Sequence, residues 1–231
     1  ERLEDRIFQE QNLSALVINI GGMATYPSIV TTNSGLRHAL AIAFHEWLHQ
    51  YWFFHPLGWN YWRDSNTTTL NESAANLAGR ELGDRAYEAI TGEKLVQTQE
   101  PAEHRDTLTH EFDYREEMHK TRLRTDQLLS EGNVVEAERY MEERRQTFLD
   151  NGFFIRKLNQ AYFAFFGTYA DNPASVSPMN EELERFRASV ATIGDFITEM
   201  SGFSSYEEFK EHMALLTTAK VASTELFPWI P

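Results

Sequence analysis

Cysteine is absent from this chain of 231 residues, which excludes a disulfide framework, a thiolate metal site and a cysteine nucleophile. Any metal must therefore be held by histidines and carboxylates, and the redox compartment is left open. Basic charge is scarce. With 21 Lys and Arg against 35 Asp and Glu, the net charge of −14 excludes a surface built to neutralise nucleic-acid phosphates. Long apolar runs are lacking too, so no stretch reads as a membrane span of about 20 residues. No signal-peptide pattern opens the chain, and no basic amphipathic helix marks it for a membrane surface. The first residue is Glu1, not Met, so the segment reads as trimmed from a longer precursor that could have carried a leader or anchor. Membrane association is expected only through such a lost N-terminal anchor, and no compartment is assigned.

What is present is a sequence able to pack. Aromatic residues make up 13% of it, and the length suits one medium domain or two small ones. "SALVINI" (Ser14 to Ile20) is short, β-branched and alternating, which predicts a strand. Gly21 and Gly22 break it, and "MATYPSIVT" predicts a second extended segment with Pro27 at an edge. The run Thr31 to Ser34 offers N-caps for a helix reaching about Phe54, where Pro56 and Gly58 end the pattern. A second helix is expected from about Asn71 to Gly83. Beyond it, two long charged stretches on either side of Gly132 predict a helical hairpin, the second running on through Ala170. "NPASVSP" reads as a loop, followed by helices over "EELERFRASVATIGDFITEMSG" and "SSYEEFKEHMALL". The expected fold is mainly α with a small N-terminal β-sheet. Residues 1–93 would form a metal-binding catalytic part and residues 94–231 a helical part completing its cleft, as one compact unit.

"AFHEWLHQYWFF" (Ala43 to Phe54) concentrates the chemistry, because it is almost wholly apolar and aromatic except for His45, Glu46, His49 and Gln50. Polar groups in so apolar a segment cost free energy unless they are satisfied. Four residues apart on a helix, His45 and His49 present two imidazoles to one ion, the HExxH arrangement. Glu46 is turned off that line, placed to take a proton from water without ligating. Such an arrangement suits hydrolysis with one Zn²⁺ per chain, the ion lowering the pKa of water and Glu46 acting as general base on a peptide or protein substrate. The plainer reading is an amphipathic helix whose histidines bond to neighbours. No third histidine follows at a close ligand spacing, so a carboxylate of the next helix is needed. Glu72 in "LNESAANLAG" is the first candidate and Glu81 the fallback. Thr69-x-x-Glu72 also matches a capping box, which would claim the same carboxylate. His104, His110 and His119 have no ligand spacing and read as solvated or structural.

"FHEWLHQ" followed by "NTTTLNESAAN" resembles the gluzincin zinc metallopeptidases, and most nearly a bacterial aminopeptidase-like family with HELAHQ-like and TTFNESFA-like motifs. "KLNQAYFAFFGTY" is similar to a later pattern of that family, so the resemblance spans most of the chain. It implies His45, His49 and Glu72 as ligands, Glu46 as base and Asn76, one turn on, as partner to a ligand histidine. It also implies that "GGMATYPSIV" is a substrate strand, with Gly22, Met23, Ala24 and Thr25 along it. Where relatives have an amine-gripping glutamate this chain has Ala24, so the aminopeptidase label is not secured. Tyr162 and Tyr169, with Asn159 near them, are the expected oxyanion donors. A site-specific protease, or a non-catalytic helical interaction module holding zinc for structure, are the alternative expectations.

Overall fold

A computed structural model describes residues 2–31, 35–95 and 112–225. The protein is mainly helical with one small antiparallel sheet. In chain order the elements are α1 (Arg2–Gln11), β1 (Gly22–Met23), β2 (Ile29–Val30), α2 (Leu36–Trp52), α3 (Pro56–Trp59), α4 (Ser65–Thr91), α5 (Tyr114–Ser130), α6 (Val134–Asp150), α7 (Gln160–Phe166), α8 (Met179–Ser189), α9 (Ile193–Ser201) and α10 (Tyr206–Glu225). They form two compact units with interleaved sequence. One comprises Glu1–Asn19 and Leu95–Ser177, the other Ile20–Lys94 and Pro178–Pro231.

In the first unit α5 and α6 form the expected hairpin, turning at Gly132, whose φ of 78° suits glycine. Met118, Leu128, Met141 and Phe148 are buried at its centre with Ile155, Leu158 and Phe163. The second arm is shorter than its sequence pattern suggests. It ends at Asp150, because Gly152 adopts a φ of 87°, and helix resumes only at α7 under an Asn159 cap. The strand expected over Ser14 to Ile20 does not form. Those backbone groups find side chains instead of a partner strand: Val17 N–H donates to Glu4 (2.5 Å), Asn159 to the Ala15 carbonyl (2.9 Å) and Arg156 to the Val17 carbonyl. Arg156 also grips both oxygens of the buried Glu4, at 2.8 and 2.6 Å.

The second unit is built on α2 and α4. Helix α4 starts earlier and ends later than expected. Asp64 caps it by accepting from Thr67 N–H (2.8 Å), and it runs through Gly83 to a left-handed Gly92. Gly83 does not break the helix because it is an approach point. A Cβ there would lie 2.7 Å from both Cα and N of Ala41, and one on Gly79 would lie 2.9 Å from the Ala41 carbonyl and 3.0 Å from His45 N. The two backbones thus touch. Trp52, fully buried, donates to the Ile197 carbonyl (3.2 Å), and Arg187 holds both oxygens of Glu81 (2.8 and 2.9 Å), fastening α9 to α2 and α8 to α4. The single helix expected after Pro178 is interrupted between Ser189 and Ile193, where Thr192 and Asp195 form a capping box. Pro27 sits in the turn joining β1 to β2, outside both strands. Of the N-cap run expected over Thr31 to Ser34, Thr31 donates its hydroxyl to the Gly21 carbonyl (2.8 Å) and residues 32–34 lie outside the described residues; α2 starts after Gly35, which supplies no side-chain cap.

Two stability predictions follow from this packing. In an open helix Gly→Ala gains about 1 kcal/mol of propensity, but overpacking costs about 1–3 kcal/mol. Gly83→Ala is therefore expected to lower the thermal midpoint, and a rise would show that α2 and α4 are further apart. The Arg156 hydrogen bonds hold Glu4 well below its ordinary 4.5, at about 2, against the opposing push of burial. A depressed carboxylate pKa contributes stability above pH 4.5 that is lost as pH falls through about 2. Allowing for the part-exposed arginine, that contribution is on the order of 1–2 kcal/mol. The midpoint gap between parent and Glu4→Gln should be constant above about pH 5 and close on acidification.

Candidate metal centre

Helix α2 turns His45 and His49 to one face, as their spacing dictates. Their Nε2 atoms lie 2.9 Å apart with the rings edge to face. Glu72 reaches the same point from α4, with Oε2 3.4 Å from His45 Nε2 and Oε1 3.6 Å from His49 Nε2. The three donors all lie within 4.8 Å of one another, and among the described residues they form a group able to hold a metal ion. Glu72 is no capping residue. It sits well inside α4, and Thr69, the other half of the supposed capping box, donates instead to the Ser65 carbonyl (2.9 Å). The fallback Glu81 is occupied by Arg187 and by Arg85 (2.7 Å).

The electrostatics of the cluster call for a cation. Burial would push the Glu72 carboxyl up, but hydrogen bonds and charge from His45 and His49 hold it well below the usual range. Burial likewise pulls the His49 ring down, and Glu72, with Glu46 and Asn71, outweighs it and raises the pKa. Two imidazole nitrogens facing each other beside a carboxylate can be joined by a proton or by a metal ion. His49 is oriented for that role. Its Nδ1 lies 2.9 Å from Asn71 Oδ1, while the Asn71 amide donates to the Leu57 carbonyl (3.3 Å). The Leu57 bond turns Oδ1 towards the ring, so Nδ1 carries the proton and Nε2 offers its lone pair to the cluster.

Asn71 was not expected from sequence, although it stands directly before Glu72 in the "NE" pair. Asn76 is half-buried one turn further along α4, and the Asn71 amide meets the His49 imidazole. Tyr61 was also missed. It lies between α3 and α4, donates to Glu72 Oε1 and sets its ring edge-on to His49 at 6.1 Å. No spacing rule points to a tyrosine in an aromatic loop.

Glu46 is 7% exposed and its carboxylate lies beside β1, where a Cβ on Gly22 would fall 2.4 Å from Glu46 Oε1. Burial pushes its carboxyl up, against the pull of the two histidines, and the nearby Glu72 charge adds to the rise. Gln50, one turn on, donates to the Thr25 carbonyl (2.6 Å) and to Ser28 (2.7 Å), which ties the hairpin to α2. Gly22 and Met23 thus form β1 alongside Glu46, with Ala24 and Thr25 exposed beyond it. Tyr162 and Tyr169 belong to the other unit. Tyr162 is part of its core, its pKa raised by burial and by Tyr114, and Tyr169 packs on Phe165 (5.9 Å). Asn159 caps α7. His119 is exposed on α5, whereas His104 and His110 lie outside the described residues.

Metal titration tests the cluster. The parent should bind one divalent ion per chain, His49→Ala should bind none at the same concentrations, and Asn71→Ala should bind about 10- to 100-fold more weakly. Equal binding by parent and His49→Ala would remove the assignment. Comparison with known protein families, with curated proteins and with solved structures finds no match for this chain, so the reading of the site rests on its own geometry.

Proposed function

We propose that the second unit is a zinc-dependent peptide hydrolase of the gluzincin type. One observation carries the proposal: His45, His49 and Glu72 converge on a point while Glu46, from the same helical turn, stays out of the cluster and turns towards β1. The donor set suits zinc. Two nitrogens and a carboxylate oxygen about 2.0–2.1 Å from an ion, at tetrahedral corners, stand roughly 3.3 Å from one another. The two imidazole nitrogens here stand 2.9 Å apart, and Glu72 presents Oε2 at 3.4 Å from His45 Nε2 and Oε1 at 3.6 Å from His49 Nε2. Three protein ligands leave a fourth corner for water or substrate, as catalytic zinc requires and structural zinc does not.

Bound there, the ion would act as a Lewis acid that brings the pKa of water towards neutrality. The rest of the work falls to the chain. Glu46, buried and with its basicity raised, accepts the proton of the attacking water and returns it to the leaving amine. Asn71 keeps the His49 ring in the tautomer that ligates. The β1 segment offers main-chain groups to an extended peptide beside Glu46, in the manner of strand addition. Gly22 supports this role, since any side chain there would collide with the base. Met23, Ala24 and Thr25 carry no acidic group to grip a free amine. The reading is therefore peptide hydrolysis, without commitment to the N-terminal residue.

Glu46→Gln separates catalysis from metal binding, because the amide keeps the shape but cannot take the proton. With a mixed peptide library read by mass spectrometry, cleavage should fall at least 10²-fold, as for a lost acid–base group. Metal content and thermal midpoint should stay at parental values. Parental turnover in metal-replete Glu46→Gln would refute the mechanism.

A further inference from the structure

We propose that Tyr61 is a positioning residue that makes Glu72 a one-oxygen ligand. This inference rests on the metal-centre reading above and deepens it. A carboxylate binds a metal through one oxygen or through both, and four-coordinate geometry with an open corner requires the first. The two oxygens of Glu72 have different neighbours. Oε1 accepts the phenol hydrogen bond of Tyr61 and lies 3.6 Å from His49 Nε2, whereas Oε2 carries no phenol and lies 3.4 Å from His45 Nε2. The phenol draws on the lone pairs of Oε1 and stops the carboxylate rotating, leaving Oε2 as the donor towards the ion.

Tyr61 is held for this task from several sides. Its ring stands edge-on to His49 at 6.1 Å and to Trp62 at 4.6 Å. Its backbone N–H donates to the Gly58 carbonyl (3.2 Å), and its carbonyl accepts from the Thr68 hydroxyl (2.5 Å) on the first turns of α4. The helix that carries Glu72 therefore also fixes the loop that carries the phenol. Outer partners of this kind commonly change metal affinity about 10- to 100-fold when removed.

The test uses Co²⁺, whose visible absorption reports coordination number, on the full chain. Tyr61→Phe keeps the ring and removes only the hydroxyl. The expected result is a cobalt band weakened and shifted in the direction of higher coordination, with Co²⁺ affinity about 10- to 100-fold lower. Thr68→Val leaves the phenol in place but frees its loop, and should move the same band part of the way. This second variant keeps the test decisive if Tyr61→Phe folds poorly. A parental band and affinity in Tyr61→Phe, or in Thr68→Val where that variant stands alone, would overturn the role of Tyr61 while leaving the metal centre intact. A parent protein that binds no Co²⁺ would overturn the metal-centre reading and this inference with it.

Discussion

The close approach of α2 and α4 is the constraint on which the second unit depends. Two helices bring short polar side chains to a common point only if their backbones nearly touch along part of their length. Gly79 and Gly83 permit this against Ala41 and the backbone of His45, where any larger residue would hold the helices apart. The helices run in opposite directions: as α2 proceeds from Ala41 to His49, its neighbours on α4 recede from Gly83 to Asn71. The glycine contact therefore fixes the register in which Glu72 meets His45 and His49. Trp52 and Arg187 brace the same pair from its ends, through Ile197 and Glu81. Arg187 has a second consequence, because a carboxylate held on both oxygens is withdrawn from metal chemistry and leaves Glu72 as the acid presented to the histidines.

Two carboxylates that are each 7% exposed lie near each other, and their environments push them apart. Glu72 accepts the Tyr61 hydrogen bond and, with His45 and His49 beside it, is held as an anion. Glu46 is dominated by burial and by its neighbour's charge, which makes it the stronger base. Separation of paired acids by their surroundings is how one site obtains both a fixed negative ligand and a proton acceptor. Two carboxylates buried close together repel, and a cation at the His45–His49–Glu72 cluster would relieve that repulsion. The design makes sense around a positive charge.

The cluster of His45, His49 and Glu72 was legible because its spacing is helical geometry written directly in sequence. His45 and His49 are one turn apart, and Glu72 stands on the next helix, which the local pattern located though it misplaced the start. That error has a physical origin. Thr69 and Glu72 have capping-box spacing, but Asp64 lies earlier and captures the Thr67 amide, so the helix begins there and the box becomes ordinary helix body. The strand expected at Ser14 to Ile20 has the right pattern and no partner. A strand needs a ladder, and here side chains of Glu4, Arg156 and Asn159, the last two distant in sequence, take its place. Asn71 and Tyr61 were illegible for a related reason: each acts through one contact whose spacing depends on how the loop between α2 and α4 returns.

The candidate site is contained in a short stretch of chain. β1, Glu46, both histidines, Tyr61, Asn71 and Glu72 all fall within residues 22–72, and each is tied to another in that stretch by a close contact or hydrogen bond. The helices that follow much later, α8 to α10, supply apolar cover instead: Phe186, Phe196 and Phe209 are fully buried. Such a division lets the fold satisfy two demands that conflict at a single site. The aromatic cover and the glycine contact provide the packing that holds the backbone, while the site itself keeps four ionisable groups that no apolar core could accommodate. Much of the rigidity is thus imported from apolar packing, and the ionisable groups remain beside β1.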